Sequence, residues 1–223
     1  MEYVRIQSIN DPLFIQMHEL MKAVFPAEEV LEFDLWKEPL EDPSIRVFVA
    51  VHDGIVVGST EYRYYEELNV GMTDFTIIGR EGLGIGRFLA ANRAADLRQL
   101  AEANGKLMLG MFAEIYDPYR VAHYEFGGVK PMDPFVRREV LSHLGYKKLN
   151  IPYVHPSWEL TGEAVEGLDL CFLPTNDSLN ELDSNLIVTF LKGYYTVLDN
   201  KPAAWYDMIQ TIEQLEQVAL LPL

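Results

Sequence analysis

Hydrophobic and polar positions recur along this chain with two different periods, which predicts strands and helices in turn. A short strand is predicted over Val4–Ile9, and the following Asn10-Asp11-Pro12 is typical of a helix start, with either of its first two residues as the N-cap. The apolar residues of that helix recur at helical spacing: Phe14, Met17, His18, Met21 and Phe25. A second helical stretch is predicted from Ala27 to Lys37, ending at Pro39.

The middle of the chain predicts a β-hairpin, a third strand and a long helix. Arg46–His52, the Asp53-Gly54 turn and Ile55–Tyr65 form a hairpin pattern, because Asp-Gly supplies the positive φ angles that a tight turn needs. A further strand is expected over Asn69–Ile78. A glycine-dense loop follows, and then an Ala-rich helix to about Ala103.

The second half of the chain continues this alternation and then changes character. Strands are predicted over Lys106–Glu114, Tyr146–His155 and Leu168–Leu173, with a short helix at Val136–Leu144. From Leu179 onward the pattern predicts helices only. We therefore expect a main α/β domain over residues 1–175 and a helical C-terminal extension over residues 176–223, packed on that domain or on a partner subunit.

The charge and the cysteine content indicate which kinds of partner the protein can bind and in which compartment it is expected. Eighteen Lys and Arg residues against 34 Asp and Glu give a net charge of −16, which disfavours nucleic acid and anionic membranes and favours cationic partners. The single cysteine, Cys171, lies in an apolar run and is predicted to be a buried structural thiol. No apolar run approaches the ~18 residues of a membrane span. These features predict a cytoplasmic protein.

The glycine loop between the third strand and the long helix carries the clearest chemical signal. Its residues run Gly79-Arg80-Glu81-Gly82-Leu83-Gly84-Ile85-Gly86. Glycines let backbone amides approach a ligand, and the N-terminus of the following helix attracts an anion such as a pyrophosphate. A P-loop would continue with Lys-Ser/Thr, but Arg87-Phe88 follow Gly86, and the third glycine of a dinucleotide-binding fingerprint is also missing.

The segment Glu81–Leu89 resembles the acyl-CoA loop of the GNAT (Gcn5-related N-acetyltransferase) superfamily, whose pattern is Arg/Gln-x-x-Gly-x-Gly/Ala. Glu81 stands at the Arg/Gln position, and the resemblance covers about residues 3–175. It implies an α/β (α+β) fold with a central mixed, mostly antiparallel sheet flanked by helices. It also implies acetyl-CoA as co-substrate, with Arg80, Arg87, Arg93 and Arg98 available to its phosphates. The implied cofactor-binding residues are Ile77, Ile78, Arg80, Glu81, Gly82, Leu83, Gly84, Ile85, Gly86 and Arg87.

The resemblance also implies the chemistry, which is direct attack of a neutral amine on the thioester. Backbone N–H groups around Ile77 and Ile78 would polarise the carbonyl. Glu114, at the end of the strand after the long helix, is the predicted general base, with Asp74 and Glu61 as weaker candidates.

The general acid that protonates the leaving thiolate has two alternative positions. If Asp117–Val129 corresponds to the family's acid-bearing helix, Tyr124 is the acid. If Leu141–Tyr146 is the end of that helix, Leu141 occupies the tyrosine position, and residues 116–134 are an insertion from which Tyr116 or Tyr124 could reach the thiol.

Three interpretations of the function remain open from the sequence. The first is an N-acetyltransferase whose acceptor is a small-molecule amine or a protein amino group, with a cationic acceptor favoured by the acidic charge. The second is a non-catalytic GNAT-fold protein that binds acyl-CoA as a sensor or serves in assembly. The third is a relative with the same fold that has lost coenzyme A binding altogether. A homodimer formed through the C-terminal extension is also open. The spacing of His123, His143 and His155 is not that of metal ligands, so no metal is predicted.

Overall fold

The computed structural model describes residues 1–25, 30–120, 133–158 and 162–223. The described residues separate into two compact units. Those up to Met108 form the first unit, and those from Leu109 onward form the second. None of the described helices is long and apolar enough to cross a membrane.

The first unit is an antiparallel sheet with helices on both faces. Its strands are paired in the order β1-β2-β3-β4: β1 (Glu2–Ile6), β2 (Ile45–His52), β3 (Ile55–Tyr65) and β4 (Val70–Ile78). Its helices are α1 (Pro12–Val24), a 3₁₀ turn (Phe33–Trp36), α2 (Lys37–Glu41) and α3 (Ile85–Ala103). The bounds of α1, the hairpin, β4 and α3 agree closely with the predictions.

Local sequence accounts for where these elements begin and turn. The Asp11 side chain caps α1 by accepting a hydrogen bond of 2.8 Å from the Leu13 amide. Asp53 and Gly54 have φ angles of 51° and 78°, the positive pair that the β2–β3 turn requires. Pro39 lies inside the first turn of α2 rather than ending a helix, because the first amides of a helix have no intrahelical acceptor.

Strand β2 is buried on both faces because helices cover both sides of the sheet. On one side Phe14 and Met17 of α1 pack against Val47 and Val49. On the other side the α3 residues Ile85 and Leu89 pack with buried residues of two strands, Ala50 of β2 and Val57 of β3. We call these two sides the α1 face and the α3 face.

The second unit has its own antiparallel sheet, in the strand order β5-β9-β6-β11-β10. Its elements are β5 (Gly110–Tyr116), α4 (Pro134–His143), β6 (Lys147–Leu149), β9 (Leu168–Pro174), β10 (Glu181–Asp183), α5 (Ser184–Tyr194), α6 (Ala203–Glu213) and β11 (Gln217–Pro222). A separate two-stranded ribbon pairs β7 (His155–Pro156) with β8 (Ala164–Val165). Cys171 is fully buried in β9, as predicted, and burial raises the pKa of its thiol.

Two predictions for the second half of the chain were wrong. The strand expected over Tyr146–His155 is split into β6 and β7, with Pro152 between them, which has no N–H to donate to a ladder. The C-terminal segment is not helical throughout, since β11 pairs with β6 and β10 pairs with β11. These strands have six residues and three residues, too few for their alternation to stand out from the helical pattern around them.

The fold class is nevertheless the predicted one, an α/β fold with mostly antiparallel sheets flanked by helices. Within the second unit the C-terminal helix α5 packs on its sheet. The ring of Phe190 on α5 stacks on Phe112 of β5 at a centroid distance of 4.0 Å.

Gly58 and Gly193 provide a matched test of packing in this fold. A Cβ at Gly58 would lie 2.5 Å from Ile85 Cγ2 and 2.7 Å from the Ile77 carbonyl oxygen, whereas a Cβ at Gly193 would meet nothing within 4 Å. We expect Gly58→Ala to cost about 2–4 kcal/mol of unfolding free energy, because backbone must move. Gly193→Ala, inside α5, should stabilise by roughly 0.5–1 kcal/mol. Urea unfolding monitored by circular dichroism measures both, and an unaffected Gly58→Ala midpoint would contradict this packing.

Candidate functional site

The glycine loop of the first unit requires glycine for its backbone conformation. Gly82 and Gly84 have φ angles of 80° and 67°, and a Cβ at either would meet nothing within 4 Å. Gly84 is the N-cap of α3 and has no side chain to cap the helix. The first amides of α3 therefore remain available for an anion.

The residues predicted to bind the cofactor lie together along the end of β4, the loop and the start of α3. Arg80, Glu81 and Arg87 are exposed, so the Glu81 carboxylate is free to turn towards solvent while its backbone stays in the loop. Gly86 lets the start of α3 pack closely against Ile78, because a Cβ added at this position would lie 3.0 Å from Ile78 Cδ1. The geometry of this segment suits an anionic ligand held by backbone amides.

Arg93 departs from the arginine cluster suggested by the sequence. Its side chain is buried at 5% exposure, on the α3 face of the sheet. Its Nη1 donates to the hydroxyl oxygens of Thr60 at 3.0 Å, Thr73 at 3.0 Å and Thr76 at 2.8 Å. Arg93 therefore belongs to the interior of the unit, whereas Arg98 is exposed.

A pair of carboxylates bridges β3 and β4 in the same unit. Strand β4 carries one extra residue at Asp74, since Glu61 lies opposite Phe75 while Tyr62 lies opposite Thr73. Asp74 shares a side-chain hydrogen bond with Glu61, which is 8% exposed. Burial and the Asp74 charge raise the pKa of Glu61 to about 8, although Arg63 opposes the shift. Near neutral pH the pair therefore shares one proton.

Aromatic rings accompany this pair on the α1 face. Glu61 lies directly opposite Phe75, so the two side chains share one face of the sheet. The Phe75 ring contacts Trp36 at a centroid distance of 6.4 Å and Phe25 at 6.2 Å. Carboxylate and aromatic surfaces together are suited to an organic cation.

Glu114, the predicted base, lies in a different environment in the second unit. Its side chain is 14% exposed, and its Oε1 accepts hydrogen bonds from Tyr153, from Tyr195 at 2.5 Å and from His155 Nδ1 at 2.6 Å. Burial alone would raise the pKa of Glu114, but these bonds, above all the one from His155, hold it below its ordinary value. The carboxylate is thus ionised and already accepts from three donors.

Sequence reasoning missed the partners of Glu114 and the environment of Arg93. Tyr153, His155 and Tyr195 are 39 or more positions from Glu114, and no local spacing links them. Tyr124 lies outside the described residues. The structure does have a helix, α4, that leads into β6 and its pairing with β9, as the second tyrosine alignment expects.

No metal site emerges from the parts of the chain that the structure describes. Among those residues, no group of three or more His, Cys, Asp or Glu side chains is arranged to hold a metal ion.

Comparison with known proteins gives matches of structure rather than of sequence. A GNAT-family protein from Bacteroides thetaiotaomicron superposes with a TM-score of 0.62 at 13% identity, covering 89% of this chain and 97% of that one. The ribosomal-protein-S18-alanine N-acetyltransferase from Escherichia coli gives a TM-score of 0.51 at 10% identity, covering 80% of this chain and 97% of that one. The chain has the GNAT fold.

Another GNAT-fold neighbour is an aminoglycoside 6'-acetyltransferase type Ii, with a TM-score of 0.50 at 16% identity over 77% of this chain and 95% of that one. No protein-family model matches the sequence, and no curated protein matches it either. At these identities the GNAT resemblance is confirmed for the fold.

Because the pKa of Glu61 is raised in the folded protein, the free energy of unfolding depends on pH. The folded protein keeps a proton on Glu61 up to about pH 8, whereas the unfolded chain releases it near 4.5. This stabilising contribution is therefore complete at low pH and is lost as the pH rises towards 8. We expect Glu61→Gln to match the wild type at pH 4, below the unfolded pKa, and to exceed it by roughly 2 kcal/mol or more at pH 9.

Thermal unfolding at the two pH values measures this difference. Glu102→Gln, at an exposed position on α3, is the control and should follow the wild type at both. Parallel curves for Glu61→Gln and the wild type would show that Glu61 holds no extra proton.

Proposed function

We propose that this GNAT-fold protein is an acyl-CoA-dependent N-acyltransferase that transfers an acetyl or related acyl group to an amine. The observation that carries the proposal is the glycine loop with Gly84 in a left-handed conformation as the N-cap of α3. Amides that approach an anion closely, at the positive end of a helix of 19 residues, fit the pyrophosphate of coenzyme A.

The reaction couples formation of one bond to the cleavage of another. The thioester supplies the activated acyl group, the amine nitrogen forms a bond to the carbonyl carbon, and the carbon–sulfur bond breaks. Backbone N–H groups around Ile77 and Ile78 would stabilise the negative charge on the carbonyl oxygen. The amine loses a proton to a base, and the departing thiolate gains one from a tyrosine or a water molecule.

Two residues are candidates for the general base, and their pKa values are shifted in opposite directions. Glu61 lies with Asp74 on the strands that lead to the loop, and its pKa of about 8 suits a group that must take up and release protons near neutral pH. Glu114, the base expected from the sequence, is an ionised carboxylate with three donors on one oxygen. We favour Glu61, with Asp74 as its partner, and test both.

The acceptor in this proposal is a cationic amine. The net charge of −16 attracts cations, and the Glu61–Asp74 pair offers negative charge beside the Phe75 ring on the α1 face. A sensor that binds acyl-CoA without turnover is the second candidate function, because Glu81 puts a carboxylate at the Arg/Gln position of the loop pattern.

Binding of acetyl-CoA is tested with two glycine variants that carry the same backbone strain. Gly84 and Gly105 have φ angles of 67° and 68°, open space around the Cβ position, and locations at opposite ends of α3, ~28 Å apart. Saturating acetyl-CoA should raise the unfolding midpoint of the wild type and of Gly105→Asp, since a ligand at 100 times its Kd contributes about 2.7 kcal/mol. The carboxylate of Gly84→Asp should abolish the rise by repelling the phosphates. No rise in the wild type with acetyl-CoA or CoA would overturn the proposal.

Turnover is tested by CoA thiol release in the presence of spermidine, tyramine, an aminoglycoside and a peptide with an N-terminal alanine. We expect amine-dependent release whose kcat/KM rises with pH to a plateau above about 8, because only ionised Glu61 accepts a proton. Glu61→Gln should lower kcat about 100-fold or more while acetyl-CoA affinity is kept. If Glu114→Gln alone has this effect, the base is Glu114. Binding without release for every amine would favour the sensor.

A further inference from the structure

Arg93 is a buried cation whose charge is not balanced within the described residues. Its side chain is 5% exposed, and no described carboxylate lies within ion-pair distance of it. Arg46 shows the contrast in the same unit, because both of its bonds to Asp96 are 2.5 Å long. Three neutral threonine hydroxyls satisfy one nitrogen of Arg93, and no described residue bonds its Nε or Nη2. A buried charge is costly unless it is paired, so this arrangement favours an external anion.

Proton counting shows which hydroxyl is available to that anion. A guanidinium only donates, so each threonine oxygen accepts from Arg93 and keeps its own proton to donate. The Thr60 hydroxyl donates to the Phe75 carbonyl at 3.1 Å, and the Thr73 hydroxyl donates to the Glu61 carbonyl at 3.2 Å. Because the Thr60 proton goes to Phe75, the Thr76 hydroxyl donates to the Thr60 oxygen at 3.2 Å, and among the described residues it is the one hydroxyl of the three whose proton no backbone carbonyl accepts. Thr76 is also exposed.

The position of Thr76 connects this cluster to the acyl group. Thr76 directly precedes Ile77 and Ile78, around which backbone N–H groups are proposed above to polarise the thioester carbonyl, and consecutive Cα atoms are about 3.8 Å apart. A substituent of two or three carbons beyond that carbonyl is long enough to span this separation to the Thr76 hydroxyl, behind which the Arg93 guanidinium lies at 2.8 Å. An acetyl group is too short to bring any negative charge there.

We propose that Arg93 and Thr76 recognise a carboxylate at the far end of the acyl group, which makes the preferred donor the coenzyme A thioester of a dicarboxylic acid, such as succinyl-CoA. This inference rests on the proposed acyl-CoA site. The bound carboxylate accepts from the Thr76 hydroxyl and neutralises the Arg93 charge. Charge-assisted bonds of this kind are stronger than neutral ones.

The test compares the dissociation constants of succinyl-CoA and acetyl-CoA by calorimetry, without any acceptor amine. In the wild type we expect succinyl-CoA to bind about tenfold more tightly or better. In Arg93→Gln and in Thr76→Val the ratio should fall towards one while the acetyl-CoA affinity stays within about twofold. Lys22→Gln removes an exposed cation from α1 and is the matched control, which should keep the wild-type ratio.

The outcomes separate this inference from the proposed function. Equal affinity for the two thioesters in the wild type would overturn the carboxylate site and leave the acyl-CoA site intact. Failure of both thioesters to bind would overturn the proposed function as well. If Arg93→Gln does not fold, Thr76→Val decides the question, because valine keeps the shape of threonine and removes only the hydroxyl. An unchanged ratio in Thr76→Val would exclude Thr76 from the site.

Discussion

The extra residue in β4 at Asp74 is the constraint on which both faces of the first unit depend. Side chains three positions apart in a regular strand point to opposite faces. The bulge removes that opposition, so Thr73 and Thr76 both lie on the α3 face, within reach of one Arg93 nitrogen. The same bulge sets Asp74 beside Glu61. One inserted residue thus brings two threonines to the buried Arg93 on one face and places Asp74 beside Glu61 on the other.

Helix α3 serves the site through two halves with different chemistry. Its first half is apolar where Ile85 and Leu89 pack on the sheet, and Gly58 lets Ile85 approach the strand backbone. That close packing fixes the helix N-terminus, and with it the amides of the loop. The second half adds polar side chains to the buried Leu97 and Ala101, with Arg93 bonded to three threonines and Asp96 bonded to Arg46 and Tyr62. An apolar residue in place of Arg93 would have completed the buried stripe of α3 without providing a charge.

Sequence was most informative where a structural feature depends on neighbouring residues. The Asp11 cap, the Asp53-Gly54 turn and the glycine loop are local, and their elements were predicted within a few residues. The bulge was not predicted, because nothing in the residues around Asp74 distinguishes an inserted residue from a regular alternation. Burial of Arg93 depends on Thr60, 33 positions away, and its periodic place on α3 was equally typical of a solvated helix face.

The two carboxylates considered as bases show why residue type and strand position alone do not assign a role. Both lie on strands and both are largely buried, yet their pKa values move in opposite directions. Glu61 has another carboxylate as its neighbour, so desolvation and repulsion both favour its protonated form. Glu114 is surrounded by donors, so each hydrogen bond favours its ionised form. His155 Nδ1 lies 2.6 Å from an ionised oxygen, which can only accept, so this nitrogen donates a hydrogen bond to Glu114. The donors around Glu114 therefore hold its carboxylate in the ionised form, whereas Glu61 is placed to take up and release a proton near neutral pH.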